Sequence, residues 1–155
     1  MIDFSDLLPP DAVLADVASP HRKALFATLA TAAHDAHGLG QPGIADALAD
    51  REKLGSTGYG HGIAVPHARL AGIDRIAGVF VRLARPIDFS AVDDLPVDLV
   101  FALFSPLDAG GEHLKALARV SRSLRDPAFR DKLRGAGSRD ALYVLLTGVE
   151  ARNAA

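Results

Sequence analysis

The chain has 155 residues, 49% hydrophobic, 23% charged and 6% aromatic, with a formal net charge of -2 and a pI near 6.3. That length suffices to bury roughly two-thirds of the extended surface in one ordinary domain, and the weak acidity supplies no global basic field for nucleic acid. Zero cysteines exclude disulfides and thiolate metal sites. No run of about eighteen apolar residues is present to span a membrane, and MIDFSDLLPPDAV lacks the basic-then-apolar order of a secretory signal. The expectation is a cytoplasmic protein with a single domain over residues 1–150 and a polar tail at 151–155.

In chain order, residues 1–18 form a lead-in with a short strand at Ala12–Val17. Ser19-Pro20 is a helix start, with serine as cap and proline in the first turn. The helix runs to about Ala36, with Leu25, Leu29 and Ala32 inward, and Gly38 stops it. Gln41-Pro42 opens a second helix to about Lys53, with Ile44, Ala47 and Leu48 inward. Ile63-Ala64-Val65 is a brief buried strand. Ile76–Leu83 is a further strand ended by Pro86, and Asp93-Asp94 with Pro96 makes a turn. Val97–Phe104 is apolar on both faces, the mark of a central strand covered by helices on both sides. After a bend at Asp108–Gly111, His113–Leu124 is a helix with Leu114, Leu117, Val120 and Leu124 inward. Helices over Pro127–Arg134 and Ser138–Thr147 follow. Strands flanked by helices predict an α/β fold, a three-layer sandwich.

The most informative stretch is Arg51–Leu70, REKLGSTGYGHGIAVPHARL. Glycines at 55, 58, 60 and 62 leave the backbone bare, so amides can approach a ligand, with Ser56 and Thr57 offering hydroxyls. His67 follows the apolar run and a proline. Of the six histidines, His34 and His37 fall near a helix C-terminus, which favours a cation, and are expected at the surface. His113 falls in the first turn of its helix, either as an anion-facing group or as a plain helix-entry residue. Arg51 can hold phosphate oxygens in a bidentate fork, or simply cap its helix. Arg69 and Arg75 are rim candidates.

Three chemistries compete. His67 can accept a phosphoryl group, since an imidazole of ordinary pKa near 6.5 is mostly neutral at pH 7 and carries a lone pair. Loop amides, His113 and Arg51 would then stabilise the charge, as phosphoryl transfer requires. A zinc site from His61, His67 and His113 matches no H-E-x-x-H spacing and has no carboxylate base in view. A nucleotide cradle lacks the G-K-[ST] ending of a P-loop. The first reading uses the most residues.

The pattern RExxGSTGxGxGIAxPH resembles the active-site segment of enzyme IIA proteins of the fructose–mannitol type, from the bacterial sugar phosphotransferase system. RIAGVFVRLARPIDFSAVDDLPVDLVFALFSP and EHLKALARVSRSLRD are similar to its nitrogen-regulatory branch, and the resemblance covers about residues 5–147. It implies a mixed β-sheet with helices on both faces and no cofactor or metal. It implies that His67 is phosphorylated by an HPr-like phosphocarrier protein, with His113 and Arg51 assisting; the reading of the residues adds the loop of Ser56, Thr57, Gly58, Gly60 and Gly62 around the phosphoryl group. Regulatory targets such as potassium transport proteins or sensor kinases follow from the branch, while charge and the lack of an apolar span predict no nucleic acid and no membrane insertion. The alternative is a sugar-uptake IIA passing phosphate to a IIB domain. His61 stands where asparagine is common, adding a titratable group expected close to the pocket, and Ala68 where glycine is frequent.

Overall fold

A computed structural model describes residues 2–40 and 42–149. The expected tail at 151–155 and the helix-opening Gln41 lie outside the described residues. After a short 3-10 turn come β1 (Val13–Val17), α1 (Arg22–His37), α2 (Ile44–Lys53), β2 (Gly58–Gly60), β3 (Ile63–Ala64) and β4 (His67–Leu70). The chain continues through β5 (Ala77–Ile87), β6 (Val97–Pro106), α3 (Gly111–Arg125), α4 (Pro127–Gly135) and α5 (Arg139–Thr147). Among the described residues no helix is long and apolar enough to cross a membrane.

The strands form one sheet in the order β1-β5-β6-β3-β2, with β4 also paired to β6. Pairing is mixed: β1 with β5 and β6 with β3 and β4 are parallel, while β5–β6 and β2–β3 are antiparallel. β6 is the central strand its apolar run predicted. Its residues alternate between two cores, with Val100, Ala102 and Phe104 toward α1 and α2, and Leu99, Phe101 and Leu103 toward the C-terminal helices. Leu25, Phe26, Leu29 and Leu48 complete the first core; Val120, Leu124, Phe129, Leu133 and Leu142 complete the second. Each such Leu or Phe, withdrawn from water on one face of the sheet, contributes about 1.5–3 kcal/mol. The expected three-layer sandwich is therefore the observed one.

Several boundaries differ from expectation. Helix α1 is capped by His21, whose Nδ1 accepts from the Ala24 N–H at 3.1 Å, two residues beyond the serine expected to do so. Its other end stops as predicted at Gly38, at φ 70°. Pro86 does not end β5, which runs to Ile87. Residues 84–86 are exposed where the β5–β6 register shifts, so the missing proline N–H costs the ladder nothing there. The inner stripe of α3 is His113, Ala116, Val120 and Leu124, whereas Leu114 is 64% exposed. His34 is exposed as expected, but His37 is half-buried and its Nε2–H donates to the Gly78 carbonyl at 2.7 Å.

Candidate functional site

β3 and β4 lie along the same side of β6, interrupted at Val65-Pro66, where proline has no N–H to give the ladder. β4 resumes with His67 opposite Leu103. Ala68 and Leu70 pack into the α1–α2 core, so His67 alternates to the other face, toward α3. The first turn of α3 puts His113 there, with the two rings 5.5 Å apart between centroids and inclined at 55°. From the last turn of α2, Arg51 reaches the same place. Its Nε–H donates to His67 Nε2 at 3.2 Å and its Nη1 to the Gly55 carbonyl at 3.0 Å. Arg51, Leu54, His67, Arg69 and His113 line an open hollow of about 460 Å³, together with Ala47, Asp50 and Ala68.

His67 is 8% exposed, more enclosed than a loop histidine would be. Its surroundings are polar at both ring nitrogens. Nδ1–H donates to the Val65 carbonyl at 2.8 Å, because a carbonyl can only accept; Nε2 therefore carries the lone pair, turned toward Arg51. Burial holds the His67 pKa below the ordinary imidazole range and Arg51 adds to this, against the opposing pull of the Val65 carbonyl and Glu52. His113 is pushed down to about 4, first by burial and then by His67 and Arg69, so it too is neutral near pH 7. Its Nδ1 lies 2.6 Å from the Ser105 hydroxyl on β6.

The glycine loop is used differently from expectation. Glu52, immediately after Arg51, is buried, and its carboxylate accepts from the Thr57 hydroxyl at 2.6 Å and the Thr57 N–H at 2.9 Å. Ser56 donates to the Phe89 carbonyl at 3.1 Å and accepts from the Gly58 N–H at 3.0 Å. A Cβ on Gly58 would meet the Ala91 methyl at 2.9 Å, so bareness there serves packing. Gly60 and Gly62 have φ of 99° and 79° in the β2–β3 hairpin, where the Arg134 guanidinium packs over Gly62. None of Ser56, Thr57, Gly58, Gly60 or Gly62 lines the hollow.

His61 is likewise remote from it. Its N–H donates to Asp93 and its carbonyl accepts from Arg134, which also pairs with Asp98 near the start of β6. The expectation that His61 adds a titratable group at the pocket is thus corrected, and the His61, His67, His113 zinc set is dispersed. Among the described residues no group of three or more His, Asp or Glu is placed to hold a metal ion. Of the rim arginines, Arg69 lines the hollow, and Arg75 borders a separate cleft with Asp6, Asp74 and Arg119. Sequence reasoning missed Ser105 and the Glu52–Thr57 link. Ser105 carries no local signal, since only the β6–α3 packing brings it to His113.

This is an α/β sandwich with a pair of neutral histidines and an arginine gathered at one sheet edge. The chain belongs to the phosphoenolpyruvate-dependent sugar phosphotransferase system EIIA 2 family, whose model matches residues 6–148. It is 43% identical over 143 residues to a nitrogen regulatory protein of Bradyrhizobium diazoefficiens, covering 92% of this chain and 94% of that one. A nitrogen regulatory protein of Pseudomonas aeruginosa is 37% identical over 151 residues, 97% and 98% of the two chains. Among solved structures, nitrogen regulatory protein IIA-Ntr from Neisseria meningitidis superposes with a TM-score of 0.84 at 34% identity, covering 92% and 97%.

Proposed function

We propose that this protein is the phosphoryl-accepting IIA regulator of a nitrogen-related phosphotransferase system, and that His67 Nε2 is the acceptor. The observation that carries this is the Val65 carbonyl on His67 Nδ1, which leaves the Nε2 lone pair facing Arg51 beside neutral His113. In the transfer, the P–N bond of a phosphohistidine on an HPr-like carrier breaks and its nitrogen keeps the electron pair. A P–N bond forms at His67 Nε2, and Nδ1 retains its proton on the Val65 carbonyl. The ring so becomes imidazolium-like beside a phosphoryl group of about -1.5 to -2 charge. An arginine about 4 Å from such charge is worth about 4 kcal/mol per unit charge at an effective dielectric near 20, before desolvation.

Exposed apolar residues support a docking role at the same place. Leu54 borders the hollow, Leu107 offers its carbonyl to Arg69, and Leu114 follows His113; all three are more than half exposed. A partner seated there senses the phosphorylation state directly, and targets such as potassium transport proteins or sensor kinases fit this use. The names of the relatives favour the regulatory role over sugar uptake through a IIB domain.

The test is phosphorylation from phosphoenolpyruvate through enzyme I and the carrier, read as an acid-labile adduct. It is expected on the wild type and missing from His67→Ala, with His113→Ala slower but folded. An adduct that persists in His67→Ala overturns the assignment.

A further inference from the structure

The two site histidines face chemically different partners through Nδ1, one that can only accept and one that can also donate. His67 meets a carbonyl, which accepts only and so draws the ring proton to Nδ1. His113 meets a hydroxyl, that of Ser105, which can donate. Ser105 is fully buried on β6, with no hydrogen-bond partner for its side chain other than His113 among the described residues. Its register is tied to the acceptor's: Leu103 pairs with His67 and Ser105 with Arg69, so one ladder carries both His67 and the partner of His113.

A neutral imidazole has one N–H and one lone pair, and which nitrogen holds the proton is set by what the other one meets. A phosphoryl group on His67 presents only acceptor oxygens. If the His113 proton sat on Nδ1, a lone pair on Nε2 would face those oxygens and repel them. With the proton on Nε2, the same ring donates to them. We propose that Ser105 is a positioning residue for phosphoryl transfer: its hydroxyl donates to His113 Nδ1 and thereby keeps the ring proton on Nε2, facing the hollow. This rests on the reading of His67 as the acceptor, and it goes further by naming what makes His113 a donor. The paired histidines are set as opposite tautomers, one nucleophile and one donor, by a carbonyl and a hydroxyl.

The experiment is long-range ¹⁵N–¹H NMR of the imidazoles in the full chain at pH 7, before and after phosphorylation, with labelling rates measured in parallel. In the wild type His67 is expected with its proton on Nδ1 and His113 with its proton on Nε2. In Ser105→Ala the His113 signals are expected to move toward the other tautomer or a mixture. Labelling should slow about tenfold, short of the roughly 10²–10³ lost when a stabilising donor is removed outright. Ser105→Thr, which keeps a hydroxyl, should recover the wild-type tautomer and most of the rate. A wild-type His113 with its proton on Nδ1 overturns the proposal, as does a Ser105→Ala whose spectrum and rate match wild type. Should Ser105→Ala not fold, the wild-type spectrum decides. Labelling that survives His67→Ala would remove the acceptor reading instead, a result distinct from any His113 tautomer.

Discussion

Replacing Thr57 by valine preserves shape and deletes one hydroxyl, the one held 2.6 Å from Glu52. Both residues are buried, so water cannot supply the lost donor, and among the described residues Glu52 keeps only the Thr57 N–H at 2.9 Å and Arg22 at 3.5 Å. A hydrogen bond to a charged group contributes about 1.5–3 kcal/mol, which puts the expected loss near 2 kcal/mol. At 2–4 °C per kcal/mol for a chain of this size, the thermal midpoint should fall by about 4–8 °C. Urea unfolding checks the figure, with the midpoint lowered and the slope unchanged. Labelling of Thr57→Val at a temperature where it is fully folded should equal wild type, because this hydroxyl serves Glu52 and not the hollow. A variant of wild-type stability that no longer accepts the phosphoryl group would refute the reasoning and return Thr57 to a phosphate-binding role.

Burial holds His37, His67 and His113 below the ordinary imidazole pKa, His113 near 4. The unfolded chain, with imidazoles near 6.5, therefore binds more protons than the folded one as pH falls from about 6.5 toward 4, and stability present above that window is lost across it. Urea midpoints at pH 7 and pH 5 and an NMR titration of His113 check this; a His113 midpoint near 6.5 would contradict it. Leu114→Glu, at a side chain 64% exposed, should leave stability within about 0.5 kcal/mol but raise the apparent KM for the phosphorylated carrier. An unchanged KM would take Leu114 out of the docking surface. Gly58→Ala drives a methyl to 2.9 Å from that of Ala91 and should destabilise by about 1–3 kcal/mol through overpacking, read by chemical denaturation; a neutral result would mean that the hairpin shifts freely.

The layer order was legible in the amino-acid pattern, because that information is local and periodic. Val97–Phe104 is apolar at every position but one and can only be a strand covered on both faces; Gly38 ends α1 because glycine takes a left-handed φ cheaply. The motif around Arg51 and His67 likewise marked two residues that the structure brings within hydrogen-bonding distance. Tertiary structure alone decided what the rest of that motif does. Spacing shows that glycines and hydroxyls are present, but it cannot say that Thr57 closes on Glu52, that Gly58 packs on Ala91, or that His61 turns toward Asp93 and Arg134. Nor could periodicity choose between Leu114 and His113 for the inner face of α3. Ser105, reached across the β6–α3 contact, made that choice, because a buried hydroxyl and a buried imidazole each need the partner that the other supplies.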